Sequence, residues 1–189
     1  VIKARFYAVG DFQAGLAWVV QRQWFPRRFK YGFIDRQGSL VIGYHFDEVG
    51  PEGFSEGFAA VRQERKWFFI DPSGRDVFGK RFDYAYRFSE GLAAVKVEGR
   101  WGFLDQTGQW VVRPFYDAVE AFSEGLAAVR IGRQWGFIDK TGKMQIPLQY
   151  HCAREFKEGL AAVHVDEQWG FIEKTGKLVI PPHFDEAAS

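Results

Sequence analysis

The stretch that decides the fold is 88–121, FSEGLAAVKVEGRWGFLDQTGQWVVRPFYDAVEA, because the chain repeats it. The next 34 residues read FSEGLAAVRIGRQWGFIDKTGKMQIPLQYHCARE, and the last 34 read FKEGLAAVHVDEQWGFIEKTGKLVIPPHFDEAAS. Self-similarity with a period of roughly 20–50 residues is typical of architectures in which each repeat is one small structural unit. The sequence therefore predicts a tandem array of short modules.

The repeat boundaries follow from a phrase that begins with Phe and has Gly three residues later. The phrase starts at Phe12, Phe54, Phe88, Phe122 and Phe156. The expected repeats are 12–53, 54–87, 88–121, 122–155 and 156–189, and residues 1–11 match the tail of a preceding repeat. We interpret 1–189 as a single repeat domain. Because the chain starts inside a repeat and residue 1 is Val, we expect it to be a fragment or a processed chain.

Composition excludes several classes of protein. Of 189 residues 47% are hydrophobic and 26% charged, with a net charge of +1, so the chain has no overall field that would attract nucleic acid or anionic lipid, and a nucleic-acid partner is not favoured. Cys152 is the single cysteine, which excludes an internal disulfide, and no Cys/His spacing suits zinc. No apolar run reaches the roughly 20 residues of a membrane span. We expect no cofactor and no metal.

Each repeat is predicted to be a three-stranded antiparallel meander followed by a connector. The Gly-Leu-Ala-Ala-Val run and the Trp-Gly-Phe-Ile-Asp run are rich in strand-forming residues, with a short polar turn between them. A Thr-Gly turn and a Val-Ile-Pro run follow. We expect the connector, residues 117–121 in the third repeat, to be a turn or a single helical turn.

The recurring residues are expected to hold successive repeats together. A module of about 30 residues cannot bury enough surface alone, so the Phe residues at the repeat starts and on the second strands should form rows between stacked repeats. The Gly of Trp-Gly, such as Gly102, should allow a neighbouring backbone or ring to approach closely. The carboxylates of Glu90 and Asp105 recur in most repeats, which favours turn capping over catalysis, since a catalytic pair is needed only once.

The phrases FSEGLAAV, WGFIDKTGK and VIPPHFD together resemble the WG-repeat (KWG-repeat) family of bacterial proteins, over nearly the whole chain. The resemblance implies a β-rich repeat domain, often part of a longer protein, with no catalytic residues attached to the motif. Two positions depart from the pattern. Phe68 replaces the Gly of Trp-Gly in the second repeat, and Tyr31 replaces the Trp in the first.

The expected fold class is all-β, with the repeats in an open β-solenoid or superhelical stack. A propeller blade usually has four strands in about 40–50 residues, whereas these 34-residue repeats are expected to hold three. The end segments also duplicate one another instead of completing one blade. A small propeller-like ring is the alternative.

The first repeat breaks the pattern most strongly, with eight extra residues: about six near Gln21–Lys30 and two near Gly50–Gly53. Arginine interleaved with aromatic residues is the composition of binding hot spots. The candidate binding residues are Arg22, Trp24, Phe25, Arg27, Arg28 and Lys30. The alternatives are a long hairpin whose charges are only solvated and, less favoured because the whole chain is nearly neutral, a surface that binds phosphate or stacks on nucleic-acid bases.

A second break is the His151-Cys152 pair, where other repeats have Asp followed by a small residue. Adjacent residues on a strand point to opposite faces, so a catalytic pair is not favoured. We expect a non-enzymatic binding module or scaffold for a protein or peptide. The alternatives are carbohydrate or cell-envelope binding through exposed aromatic residues, such as Trp24 and Trp110, and the targeting domain of an enzyme that lies outside this sequence.

Overall fold

The computed structural model describes residues 6–23 and 28–185, and within them the chain consists of strands and turns without a helix. These residues therefore contain no helix that is long and apolar enough to span a membrane. The strands in chain order are β1 Ala8–Val9, β2 Ala17–Gln23, β3 Arg28–Ile34, β4 Leu40–Phe46, β5 Glu48–Ser55, β6 Phe58–Gln63, β7 Lys66–Ile70, β8 Tyr84–Ser89, β9 Leu92–Val97, β10 Arg100–Asp105, β11 Trp110–Tyr116, β12 Ala118–Val119, β13 Leu126–Ile131, β14 Gln134–Asp139, β15 Met144–Tyr150, β16 Cys152–Ala153, β17 Leu160–Val165, β18 Gln168–Glu173 and β19 Leu178–Phe184.

The strands form antiparallel sheets in which neighbours along the chain are neighbours in space. Four sheets have the orders β1-β2-β3-β4, β8-β9-β10-β11, β12-β13-β14-β15 and β16-β17-β18-β19, and one has the order β5-β6-β7. The predicted all-β meander is confirmed.

The connector prediction was wrong, because the connector forms a short strand. In β12, Ala118 pairs with Arg130 and Val119 with Val129, so the tail of one repeat adds a strand to the sheet of the next. Val119 is buried, and the amide of Glu120 donates to the carbonyl of Ala128 at 2.9 Å. Backbone pairing and burial of the valine stabilise an extended connector. Four-stranded sheets also remove the strand-count argument against blade-like modules.

The Gly of Trp-Gly lies opposite a bulge. Trp101 pairs with Tyr116 and Phe103 with Val112, so β11 uses two more residues than β10 between these pairs. A Cβ at Gly102 would lie 2.5 Å from the Val112 carbonyl oxygen. The predicted close approach is confirmed, and it recurs at Gly32, Gly136 and Gly170.

The second repeat shows what happens without this Gly. Its sheet has three strands, and the following segment contacts β7 through the isolated bridges Trp67↔Phe82 and Ile70↔Asp76. Phe68 is buried, with the Arg81 guanidinium carbon 4.2 Å from its ring centroid. Phe68 has the position of Gly102 in the third repeat, and its side chain takes the space that the bulged strand would need there. A turn capped by the Asp76 carboxylate replaces that strand.

The chain divides into two compact units, Val1–Phe88 and Ser89–Ser189. In each unit the second-strand Phe of one repeat packs against the first Phe of the next. The ring centroids are 4.9–5.0 Å apart in the pairs Phe33–Phe54, Phe69–Phe88, Phe103–Phe122 and Phe137–Phe156. The predicted aromatic rows are confirmed within each unit.

Polar contacts also join successive repeats. In the second unit, the Ser89 hydroxyl donates to the carbonyl of Phe122 at 2.8 Å, and the Glu90 carboxylate accepts the amide of Gly125 at 2.9 Å. Lys140 lies 3.1 Å from the same carboxylate. Glu90 therefore has the expected structural role, but it caps the turn of the following repeat.

The recurring Asp caps its own turn, as expected. Oδ1 of Asp139 accepts the Thr141 amide at 2.8 Å, the Thr141 hydroxyl at 2.6 Å and the Lys143 amide at 3.1 Å. These hydrogen bonds, with the Thr141 hydroxyl foremost, lower the pKa of Asp139 from 3.8 to about 2.

Candidate functional site

The insertion lengthens the β2–β3 hairpin. Pairing extends to Gln23 opposite Arg28, and Arg22 lies opposite Phe29. Arg22 and Arg28 are exposed, whereas Lys30 is half-buried. Trp24, Phe25 and Arg27 lie outside the described residues, so these three candidates stay predictions.

Beside this hairpin lies a cleft of about 590 Å³, which we call the insertion cleft. Its lining residues are Arg28, Phe29, Tyr31, Asp47, Glu48, Arg62 and Arg65. Arg28, one of the candidate binding residues, therefore lies on the wall of this cleft. Arg62 and Arg65 come from the second repeat, so the cleft is built by two successive repeats of the first unit.

Two ion pairs organise its floor. The Lys30 ammonium lies 2.7 Å from Oδ1 of Asp47, and the Glu64 amide donates to Oδ2 of the same carboxylate at 3.0 Å. The Lys30 hydrogen bond, with that amide, lowers the pKa of Asp47 below its ordinary value. Glu48 pairs with Arg62 at 2.7 Å. Lys30 thus stabilises the cleft from within, which is a structural role.

The remaining charge is positive. Arg28 and Arg65 are exposed, and neither forms an ion pair with another residue in the part of the chain that the structure describes. Phe29 is 44% exposed, and its ring centroid lies 4.7 Å from that of Tyr7. The cleft therefore combines two guanidinium groups that have no ion pair among the described residues with the exposed ring of Phe29.

Sequence reasoning did not identify the residues from the second repeat. The sequence did contain one signal for Arg62: in the second to fifth repeats, the residue after Ala-Ala-Val is Arg, Lys or His and pairs across the hairpin with the Trp. These cross-strand pairs are Arg62↔Trp67, Lys96↔Trp101, Arg130↔Trp135 and His164↔Trp169. Placing Arg65 in the cleft also requires knowing that the hairpin turn of one repeat packs beside the tail of the previous one.

The two extra residues near Gly50–Gly53 have a structural explanation. Trp18 stands where other repeats have Ala, and its indole Nε1 donates to the carbonyl of Pro51 at 3.1 Å. A Cβ at Gly10 would lie 2.1 Å from that Nε1 atom. The larger side chain is accommodated by a bulge in β5 between Val49 and Phe54 and by the absence of a side chain at Gly10, next to β1.

The His151-Cys152 break does not build a second site. Cys152 is half-buried in β16 and pairs with His164, in the same short strand that other repeats form. The rings of His151 and His164 are 6.2 Å apart. Among residues 6–23 and 28–185, no group of three or more His, Cys, Asp or Glu residues could hold a metal ion.

The family model for the WG containing repeat matches the chain six times, at residues 1–23, 31–67, 67–101, 101–133, 135–168 and 169–189. The chain belongs to the WG-repeat family. The matches of this WG-repeat protein run approximately from one Trp position to the next, a different phase from boundaries drawn at the initial Phe. No curated protein matches the sequence.

Two solved structures with β-propeller-like folds are similar to the WG-repeat chain. The structure described as "the eukaryotic initiation factor" has a TM-score of 0.62 and 11% identity, covering 97% of this chain and 55% of that one. Hsv2 of Kluyvelomyces marxianus has a TM-score of 0.53 and 12% identity, covering 90% of this chain and 64% of that one. The WG-repeat chain thus spans about half to two thirds of the length of these structures, and the likeness concerns the fold alone.

Proposed function

We propose that this WG-repeat chain is a non-enzymatic binding module for a protein or peptide segment that carries both carboxylate and apolar side chains. Binding occurs at the inserted hairpin and the insertion cleft beside it. The observation that supports this proposal is that the guanidinium groups of Arg28 and Arg65, which form no ion pair within residues 6–23 and 28–185, lie next to the exposed Phe29.

The chemistry of the cleft defines the partner. Arginine binds carboxylates through two parallel hydrogen bonds, and its planar group also stacks on aromatic rings. The three guanidinium groups of Arg28, Arg62 and Arg65 that line the cleft exceed its two carboxylates, and one of these, Asp47, is already paired with Lys30, although the whole chain has a net charge of only +1. A volume of about 590 Å³ accommodates a few side chains of an extended peptide.

In this proposal the repeats form an open array of blade-like sheets, and a propeller-like ring is the alternative. Contacts between repeats within each unit support a regular array, because they run in the same direction from one repeat to the next. The four-stranded sheets and the propeller-like folds of the similar structures support blade-like modules.

The test is selection of binders from a random peptide library displayed on phage, followed by titration of the selected peptides. We expect enrichment of peptides with Asp or Glu near an aromatic residue. Their Kd should rise at least tenfold in the double variant Arg28→Glu/Arg65→Glu, and should rise with salt. Arg133→Glu is the matched control, because Arg133 is exposed and has the hairpin-turn position in the fourth repeat that Arg65 has in the second.

The proposal fails if the selected peptides lack acidic residues, or if they bind the double variant and the wild-type chain equally. Enrichment of aromatic peptides without charge would instead favour recognition by the aromatic residues alone.

A further inference from the structure

The lengthened β2–β3 hairpin extends beyond the end of the strand that lies beside it. Phe46, the last residue of β4, pairs with Tyr31 of β3. Towards the hairpin tip β3 continues through residues 28–30, which we call the overhang. On one side, β2 pairs with the whole overhang. On the other side, no strand in the part of the chain that the structure describes pairs with it.

This overhang results from the insertion in the first repeat. In the fourth repeat, Trp135 of β14 pairs with Tyr150 at the end of β15, and only Gln134 of β14 lies beyond this pair. The third repeat is built in the same way, with a single residue of β10 beyond the last pair. Hairpins of ordinary length therefore end almost level with their third strands.

The hydrogen bonds of the sheet show which way the backbone of Phe29 points. The amide of Tyr7 donates to the carbonyl of Val20 at 3.0 Å, so Val20 in β2 faces β1. Successive residues of a strand face alternate neighbours, so Gln21 faces β3 and forms a hydrogen-bonded pair with Lys30. Phe29 is the next residue of β3. Its amide and carbonyl therefore point away from β2, to the side on which β4 has ended.

The insertion cleft lies on this open side. Phe29 and Tyr31 line it together with Asp47, the residue that follows β4, and with Arg65 of the second repeat. Within residues 6–23 and 28–185, neither the amide nor the carbonyl of Phe29 has a backbone partner. Phe29 is also 44% exposed. An unpaired strand edge of this kind is a template for pairing with another chain.

We propose that the partner segment binds as an extended strand that adds to β3 beside Phe29, in line with β4. This inference rests on the proposed function and specifies the conformation of the bound segment. The Phe29 amide donates to a carbonyl of the partner, and the Phe29 carbonyl accepts an amide of the same partner residue. In strand addition the backbone hydrogen bonds supply affinity, and pockets for alternate side chains supply specificity.

Antiparallel pairing, as in the sheets of the chain itself, sets the order of the partner's side chains. Residues opposite each other share a face of the sheet, so an apolar or aromatic residue opposite Phe29 packs beside its ring. The following residue of the partner lies across from Arg28. The preceding one lies across from Lys30, whose ammonium is already 2.7 Å from Asp47. We therefore expect an apolar or aromatic residue followed directly by Asp or Glu.

Backbone N-methylation of the selected acidic-aromatic peptide, one residue at a time, tests this proposal. At the residue that precedes the Asp or Glu, N-methylation should raise the Kd about tenfold or more, because the Phe29 carbonyl loses its donor. At the two adjacent residues, whose amides point away from β3, the Kd should rise less than about threefold. These positions are the matched control, since they carry the same methyl group.

Hydrogen exchange of the ¹⁵N-labelled chain, followed by nuclear magnetic resonance, gives a second readout. Saturation with the unmodified peptide should slow exchange of the Phe29 amide about tenfold or more. The Lys30 amide is the control, because it already pairs with β2 and should be protected with and without the peptide. Neither readout needs a variant of the protein, so a folding defect cannot produce the result.

The outcomes separate strand addition from the proposed function. If the peptide depends on Arg28 and Arg65 but tolerates N-methylation at every residue, or if Phe29 exchange is unchanged, strand addition is overturned and the proposed function stands. Sensitivity at one residue with protection of Phe29, but without dependence on the two arginines, supports strand addition and overturns recognition by charge. A library that yields no binder overturns both.

Discussion

At the scale of single residues, the sequence pattern predicts the role of Gly102 but not the roles of its neighbours. A Gly that recurs inside a strand indicates a close backbone approach, and the structure places the Val112 carbonyl there. The partner of Glu90 could not be predicted in the same way, because the Gly125 amide lies 35 residues away and is brought near only by stacking. Local patterns report local geometry, whereas contacts between repeats depend on how the repeats pack.

The substitution Gly102→Ala tests the bulge. The added Cβ would lie 2.5 Å from a backbone oxygen, so β11 must move away from β10. We expect a loss of about 1–3 kcal/mol or more in the free energy of unfolding, measured by urea denaturation. Gly99→Ala is a control for steric contact, because no atom lies within 4 Å of a Cβ there, although its positive φ of 79° adds some backbone strain. A smaller loss for Gly102→Ala than for Gly99→Ala would contradict the account.

The substitution Asp139→Asn tests the turn cap through its pH dependence. The folded state lowers the pKa of this carboxyl from 3.8 to about 2, so the carboxylate contributes stability above pH 3.8 that is lost as the pH falls towards 2. The variant should melt at a lower temperature than the wild type at pH 7. The difference should shrink as the pH falls from about 4 to 2.

Glu173→Gln is the matched control for this cap. Glu173 has the equivalent position in the fifth repeat, where its carboxylate accepts the Thr175 hydroxyl and the Lys177 amide bonds instead to Oγ1 of Thr175. We expect a smaller change in melting temperature. A difference between wild type and Asp139→Asn that does not depend on pH would contradict the assigned role.

At the scale of strands, runs of apolar, aromatic and β-branched residues bounded by turns predict the three long strands of a repeat, but they do not reveal the connector strand. Ala118 and Val119 are too few to form such a run. Their pairing with β13 arises because the tail of one repeat lies along the first strand of the next. The departure at Phe68 was visible in the sequence, but the replacement of a whole strand by a turn follows from steric exclusion.

Substitutions of the same Phe in adjacent repeats test whether each repeat is held by its predecessor. Phe137 packs on Phe156 and is fully buried, so Phe137→Ala should cost about 3–5 kcal/mol of unfolding free energy. Phe171, the equivalent residue of the fifth repeat, is half-buried, so Phe171→Ala should cost clearly less. Chemical denaturation gives both values. Equal losses would contradict the direction of packing.

At the scale of the whole molecule, the sequence establishes the family and the repeated core, while the candidate site depends on structure. Arg28 was predicted from an insertion that breaks the repeat pattern. Arg65 could not be predicted, since it has the same position in its hairpin turn as Arg133 and does not depart from the repeat pattern. Arg65 belongs to the cleft because its turn lies beside the insertion. In this account function therefore resides where the lengthened hairpin of the first repeat meets the turn of the second.

Nuclear magnetic resonance of the ¹⁵N-labelled chain, titrated with an acidic-aromatic peptide selected as above, tests this claim most directly. We predict saturable shifts of backbone amides at Phe29, Lys30 and Arg65, with no change at Gly132 and Arg133 in the equivalent turn of the fourth repeat. Shifts in both turns, or shifts only outside the insertion cleft, would contradict it and place binding on the repeated surface instead.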